Sequence, residues 1–229
     1  IINDLVVPFH YYGIRTQLAD YRDTDRMRVS KEIARMENVE YISDQIEKYR
    51  LKGQKMKCIA FCTNIQHCKL MAEEFTELGY NAIPLTGAND LGQRIKAFKD
   101  LQNDADPLEI ICTVDILNEG VDIPQVNMVL FLRPTESQTI FIQQLGRGLR
   151  KADGKEYVVV LDFIGNYNNN FMIPVALSGD RSYNPDVIRK YVISGNTTIP
   201  GASTVHFDEV AKANPDVQFL MVNATGTNG

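Results

Sequence analysis

The segment Phe141-Ile142-Gln143-Gln144-Leu145-Gly146-Arg147-Gly148-Leu149-Arg150 holds the residue types best suited to chemistry in this chain. Arg147 and Arg150 stand three apart, so a helix would set both guanidinium groups on one face. Gly146 and Gly148 beside them let a phosphate or another backbone come close. Arginine stays charged at any physiological pH and its planar fork matches phosphate oxygens, so the pair suits charge developing on a phosphoryl group. The plain alternative is a pair of surface arginines held by carboxylates. Upstream, the apolar run Leu108 to Thr113 leads into Asp115-Ile116-Leu117-Asn118-Glu119-Gly120-Val121-Asp122-Ile123-Pro124. Asp115 can cap a following helix, and a plain turn at Glu119-Gly120 would account for that glycine. Asp122, if buried, needs a partner for its carboxylate.

These residues need a frame, and the hydrophobic pattern supplies one. Lys57 to Thr63 is a short apolar run bounded by polar residues, hence a buried strand. Asn64 can cap the helix that follows, where Ile65, Cys68, Ala72, Phe75 and Leu78 recur at helical spacing until Gly79 stops it. Tyr80 to Leu85, Leu108 to Thr113, Asn127 to Leu132 and Tyr157 to Phe163 read as further strands. Gln93 to Gln102 reads as a helix with Ile95 and Phe98 on one face. Thr135 and Gln138 form a capping box for a helix bearing the two arginines. Strands apolar on both faces, alternating with helices, predict an α/β fold with a parallel sheet covered on both sides. Val39, Ile42, Ile46 and Tyr49 give an amphipathic helix upstream, preceded by a charged helix or connector over 20–31. After Asn166 the chain turns Asn-rich and then carries Pro, Gly and Ser. The expected organisation is a helical lead-in over 1–54, the main domain over 55–170, and a loosely packed extension over 171–229 with a disordered tail.

Together, Asp115–Pro124 and Gln143–Arg150 resemble motifs V and VI of superfamily 2 helicases and translocases, in their second RecA-like domain. Phe61-Cys62-Thr63-Asn64 looks like motif IV of that family. Leu85-Thr86-Gly87 followed by Arg94 is similar to its next nucleic-acid-contacting element. Arg133-Pro134-Thr135-Glu136-Ser137 and Val160 to Asn166 resemble DEAD/DEAH-type helicases near the type III restriction and excision-repair branch. The resemblance covers most of 55–170. One departure is plain: Gln143 stands where the RNA-unwinding DEAD-box group usually has His, which makes DNA the expected track rather than RNA.

The resemblance implies ATP in a cleft between two RecA-like domains, with Arg147 and Arg150 reaching the γ-phosphate as arginine fingers. It implies that Gly120 lets the nucleotide sugar approach the backbone, that Asp122 takes a ribose hydroxyl or steadies an arginine, and that Gln143 binds a phosphate or a neighbouring backbone group. It also implies that Thr63, Asn64, Thr86, Gly87 and Thr113 hold nucleic-acid phosphates at strand-to-helix junctions. Taken singly, each of these five is explained by helix capping; as a set they match the family's nucleic-acid-contacting motifs.

A motor of this family also needs a phosphate loop and an acidic pair that holds magnesium. Neither is found. Between Gly148 and Gly154-Lys155 five residues intervene and Glu156 follows where a hydroxyl should be, while Asp208-Glu209 comes after motif VI instead of before it. ATP with Mg²⁺ is therefore expected on an N-terminal RecA-like domain of the same parent chain, and this piece is expected to be inactive alone. A first residue of Ile rather than Met fits an excised piece.

The net charge of −5 argues against binding nucleic acid by bulk charge, although Arg133, Arg147, Arg150, Lys151 and Lys155 cluster in sequence. A hydrophobic content of 44% over 229 residues suits a globular chain with a real core. No apolar run approaches the roughly 20 residues that span a bilayer. Cys58, Cys62, His67 and Cys68 crowd together without a Cys-x-x-Cys pair, so no metal site is expected. Free thiols in a cytoplasmic protein are the reading taken. His10 and His206 are isolated. A different class of function, a non-catalytic module that binds nucleic acid or a partner through a helicase-like fold, is the alternative.

Overall fold

A computed structural model of the chain describes residues 7–15, 35–114, 123–133, 152, 154–164 and 204–207. In chain order its elements are strand β1 (Phe9–Arg15), helix α1 (Met36–Tyr49), strand β2 (Cys58–Phe61), helix α2 (Ile65–Glu77), strand β3 (Ala82–Leu85) and helix α3 (Leu91–Gln102). Strands β4 (Ile110–Thr113), β5 (Met128–Phe131), β6 (Val158–Ile164) and β7 (Thr204–Phe207) follow. The seven strands form one sheet in the order β3-β4-β2-β5-β6-β1-β7. All its pairings are parallel.

Alternation along each strand divides the interior into two cores. Cys58, Ala60, Ile110, Cys112, Met128, Leu130, Val159 and Leu161 face one layer, which α1 and α2 cover with Val39, Ile42, Ile46, Met71, Ala72 and Phe75. Ile59, Phe61, Ile111, Val129, Phe131, Val158 and Val160 face the other, which α3 covers with Ala97, Phe98 and Leu101. A parallel sheet buried on both faces needs such continuous apolar strands, and burying each large side chain contributes roughly 1.5 to 3 kcal/mol. The Phe61 and Phe131 rings stack across β2 and β5 with centroids 5.2 Å apart.

The strands and helices read from periodicity over 57–113, and the strands read over 127–132 and 157–163, are found, with ends shifted by a residue or two. The flanks differ from expectation. The helical lead-in exists as α1, but Phe9–Arg15 is a strand seated between β6 and β7, inside the sheet. Its run Phe-His-Tyr-Tyr carries the aromatic residues that favour a pleated, half-buried surface, a local signal outweighed in the sequence by the charged stretch after it. At the other flank, Thr204–Phe207 pairs with β1, so the sheet draws strands from both sides of the expected 55–170 unit. The charged 20–31 stretch and the Thr135 capping box lie outside the described residues.

β1 also brings a polar pair into the core. The Tyr11 hydroxyl donates to Asp162 Oδ2 at 2.7 Å, across 151 positions of sequence. Burial pushes the Asp162 carboxyl up to about 7, against a partial lowering by the Tyr11 bond. Burial, and then the charge of Asp162, pushes Tyr11 well up as well.

A carboxyl raised in the folded state binds its proton more tightly there than in the unfolded chain. Its contribution to stability is therefore full in acid and is lost as pH rises toward about 7. We expect Asp162→Asn, which cannot titrate, to flatten that fall between about pH 4 and 7 by an amount on the order of a few kcal/mol. Denaturant unfolding of both proteins across this range checks it, and parallel curves would exclude the shift.

Candidate functional site

Strand register decides which residues can act together. Leu85 pairs with Thr113, Thr113 with Phe61, Phe61 with Phe131, and Phe131 with Asp162, so these five form one row near the C-terminal edge of the sheet. Thr63, Asn64, Thr86 and Gly87 follow immediately after the row, on the turns that lead into α2 and α3. The structure thus gathers all five residues expected to contact nucleic acid onto one edge. With strands about 4.8 Å apart, the turns after β2 and β3 lie roughly 10 Å from each other with Thr113 between them.

The five residues have different work to do. Asn64 caps α2, accepting from the His67 main-chain N–H at 2.9 Å. Thr86 organises its own turn: its N–H donates to Asn89 Oδ1 at 2.8 Å, and its hydroxyl oxygen accepts from Ala88 N at 3.3 Å. Gly87 has nothing within 4 Å of where a Cβ would stand, and its carbonyl accepts from Arg94 at 3.2 Å. Thr63 and Thr113 stand apart from these three. Their hydroxyl oxygens are buried and meet no hydrogen-bond partner.

Two residues make contacts that the sequence did not foresee. Arg94, expected to continue the nucleic-acid element, is buried and braces the turn through the Asn89 carbonyl at 2.9 Å as well as that of Gly87. His67, weighed in the sequence only as a metal ligand, is 0% exposed. Its Nδ1 accepts from the Thr63 N–H at 3.2 Å, which leaves the ring proton on Nε2, and that nitrogen is buried without a partner. Burial pushes the imidazole down to about 4, so the ring is neutral. The Asn64-x-x-His67 spacing, that of a cap and the third helical residue, was the available signal.

The opposite edge of the sheet behaves otherwise. A cavity of about 380 Å³ opens there, lined by Lys55, Lys57, Asn127 and Lys155 among others. Its lysines and Asn127 are answered by the chain itself. Lys55 donates to the Asn103 carbonyl at 2.7 Å, Lys57 to that of Gln102 at 3.0 Å, and Lys155 to that of Pro124 at 2.7 Å. Asn127 accepts from Lys57 N at 2.9 Å and donates to the Lys55 carbonyl at 2.9 Å, tying β2 to β5. Two of these lysines also meet the last carbonyls of α3, where a cation complements the helix dipole. The cavity is a structural junction.

Arg147, Arg150, Gln143, Gly120 and Asp122 lie outside the described residues. Among the described residues, no group of three or more His, Cys, Asp or Glu could hold a metal ion, and all four cysteines are buried and free.

The family model described as the helicase conserved C-terminal domain matches residues 37–152. A relative in Saccharomyces cerevisiae named ATP-dependent helicase IRC3 is 26% identical over 173 residues, which is 74% of this chain and 25% of that protein. Among solved structures, a fragment of an HsdR subunit of a type I restriction enzyme from Vibrio vulnificus has a TM-score of 0.58 at 19% identity. The match covers 69% of this chain and 32% of that one. The Type ISP restriction-modification enzyme LlaBIII bound to DNA has a TM-score of 0.56 at 19% identity, covering 98% of this chain and 17% of that one. The chain spans well under half the length of the curated relatives it matches. With a family match across half its length and a parallel sheet flanked by helices in the RecA-like arrangement, the chain belongs to the helicase conserved C-terminal domain family.

Proposed function

We propose that this chain is the second motor domain of an ATP-dependent DNA helicase or translocase. The observation that carries the reading is the asymmetry of the sheet. The buried Lys57 and Asn127 side chains at the strand N-terminal edge are met within the chain, whereas the Thr63 and Thr113 hydroxyls at the C-terminal edge are buried without protein partners, near the amides that open α2. Helix N-termini and hydroxyls at such an edge suit phosphate oxygens. In this reading Thr63, Asn64, Thr86, Gly87 and Thr113 form one half of the strand-tracking groove, in which Asn64 and Thr86 shape the turns, Thr63 and Gly87 face the nucleic-acid backbone, and Thr113 lies buried behind them.

The nucleotide half of the reading rests on motif resemblance within the family. Arg147 and Arg150 supply positive charge to the γ-phosphate, while Gly120, Asp122 and Gln143 line the near wall of the cleft. ATP with Mg²⁺ sits mainly on an N-terminal RecA-like domain of the parent chain. Family membership and the IRC3 name support ATP dependence. Gln143 in place of the DEAD-box His supports DNA over RNA as the track. Four free buried thiols suit a reducing compartment such as the cytoplasm.

Two outcomes test this. The chain alone should hydrolyse no ATP, since no phosphate loop is present, and should bind single-stranded DNA weakly with strong salt dependence. Turnover by the purified chain that Arg147→Ala abolishes would refute the half-motor assignment. In the parent protein, Arg147→Ala or Arg150→Ala should lower DNA-stimulated ATPase by ~10³ to 10⁵ while nucleotide affinity and melting temperature barely move. Arg150→Lys should not rescue, because lysine lacks the planar fork. Near-parental turnover in both folded alanine variants would remove the arginine-finger assignment.

A further inference from the structure

We propose that His67 is a positioning residue of the nucleic-acid track: its imidazole pins the main chain at Thr63 and so presents the Thr63 hydroxyl to a phosphodiester oxygen. The inference rests on the track assignment made above.

A capped strand-turn-helix step occurs twice along this edge, and the two differ in where the third helical residue returns its bond. At α3 the cap Asp90 accepts from Gln93 N at 2.8 Å, and Gln93 Oε1 accepts in return from the Asp90 N–H at 3.1 Å. That box closes on the cap itself and serves the helix alone. At α2 the cap Asn64 likewise accepts from the third helical residue, at 2.9 Å, but that residue is His67. Its Nδ1 reaches one position further back and takes the Thr63 N–H at 3.2 Å. The return bond therefore holds the residue before the cap instead of the cap.

Thr63 is also where an acceptor is missing. Its hydroxyl is buried without a partner, and so is the Nε2 of the ring that holds its amide. His67 is 0% exposed, so water in bulk does not satisfy that nitrogen. Two unmet groups on residues joined by one hydrogen bond, beside main-chain amides that carry positive potential, suit an anionic oxygen. A glutamine would have capped α2 as well as Gln93 caps α3. The histidine adds a fixed position for Thr63, which the helix does not need and a phosphate contact does.

The test uses this difference. Binding of a labelled short oligothymidine, and of the matching oligouridine, is measured by anisotropy at low salt for the chain and for His67→Gln, Thr63→Val and the double variant, beside melting temperature. His67→Gln should melt within a few degrees of the parent, since glutamine can rebuild the box seen at α3. It should nevertheless bind about fivefold more weakly, the scale of one hydrogen bond. The double variant should bind no more weakly than Thr63→Val alone, because the two residues act through one hydroxyl. Unchanged affinity in His67→Gln, or additive losses in the double variant, would overturn the positioning role and leave the track assignment standing. A His67→Gln chain that melts far below the parent also overturns it, since the ring is then a structural cap. Failure of the folded parent chain to bind either strand would overturn the track assignment and this inference together.

Discussion

The parallel hydrogen-bond ladder is the constraint on which the candidate site depends. Because every pairing runs in the same direction, each strand delivers its C-terminal end to one edge. Register then sets Leu85, Thr113, Phe61, Phe131 and Asp162 side by side. Three turns separated in sequence by more than twenty residues become neighbours only through this arrangement. The ladder also limits chemistry, since a sheet covered on both faces favours polar side chains at its ends and needs a partner for any held inside. Lys57 and Asn127 lie just before the first row, and Thr113 and Asp162 lie in the last one described above.

The two edges handle that limitation differently. At the N-terminal edge the buried Lys57 and Asn127 are tied to main chain, Asn127 by two side-chain bonds to the segment that enters β2. At the C-terminal edge Thr63, His67 and Thr113 leave atoms unmet. An unmet buried group costs about 1 to 3 kcal/mol, a large fraction of the stability of a typical domain. Buried polar atoms without a protein partner are met by ordered water or by a ligand, and three of them lie together around the start of α2 and the end of β4.

Asp162 and Tyr11 show the same economy inside the core. The carboxyl is held up to about 7 by burial, and the tyrosine is the partner that makes its burial tolerable. Tyr11 arrives from the far N-terminal side of the chain, so β1 is an integral strand of the sheet and not an appendage. Its seat between β6 and β7 also supplies β7 with its only neighbour among the described strands.

Much of this was legible in the residues. Apolar runs bounded by polar ones marked β2 to β6, because a strand buried on both faces must be apolar throughout, and Asn64 announced the start of α2 because its side chain competes for helix amides. Strand ends carrying Thr63, Thr86 and Thr113 were visible for the same local reason. What local pattern could not encode is order and partnership. That Thr113 lies between the turns bearing Thr63 and Thr86, that β1 enters the sheet, and that Tyr11 meets Asp162 across 151 positions are decided by long-range pairing and packing. The role of His67 belongs to the same class: its spacing from Asn64 is written in the sequence, but which amide its ring accepts, and that its other nitrogen is left unmet, depend on how α2 sits over the sheet.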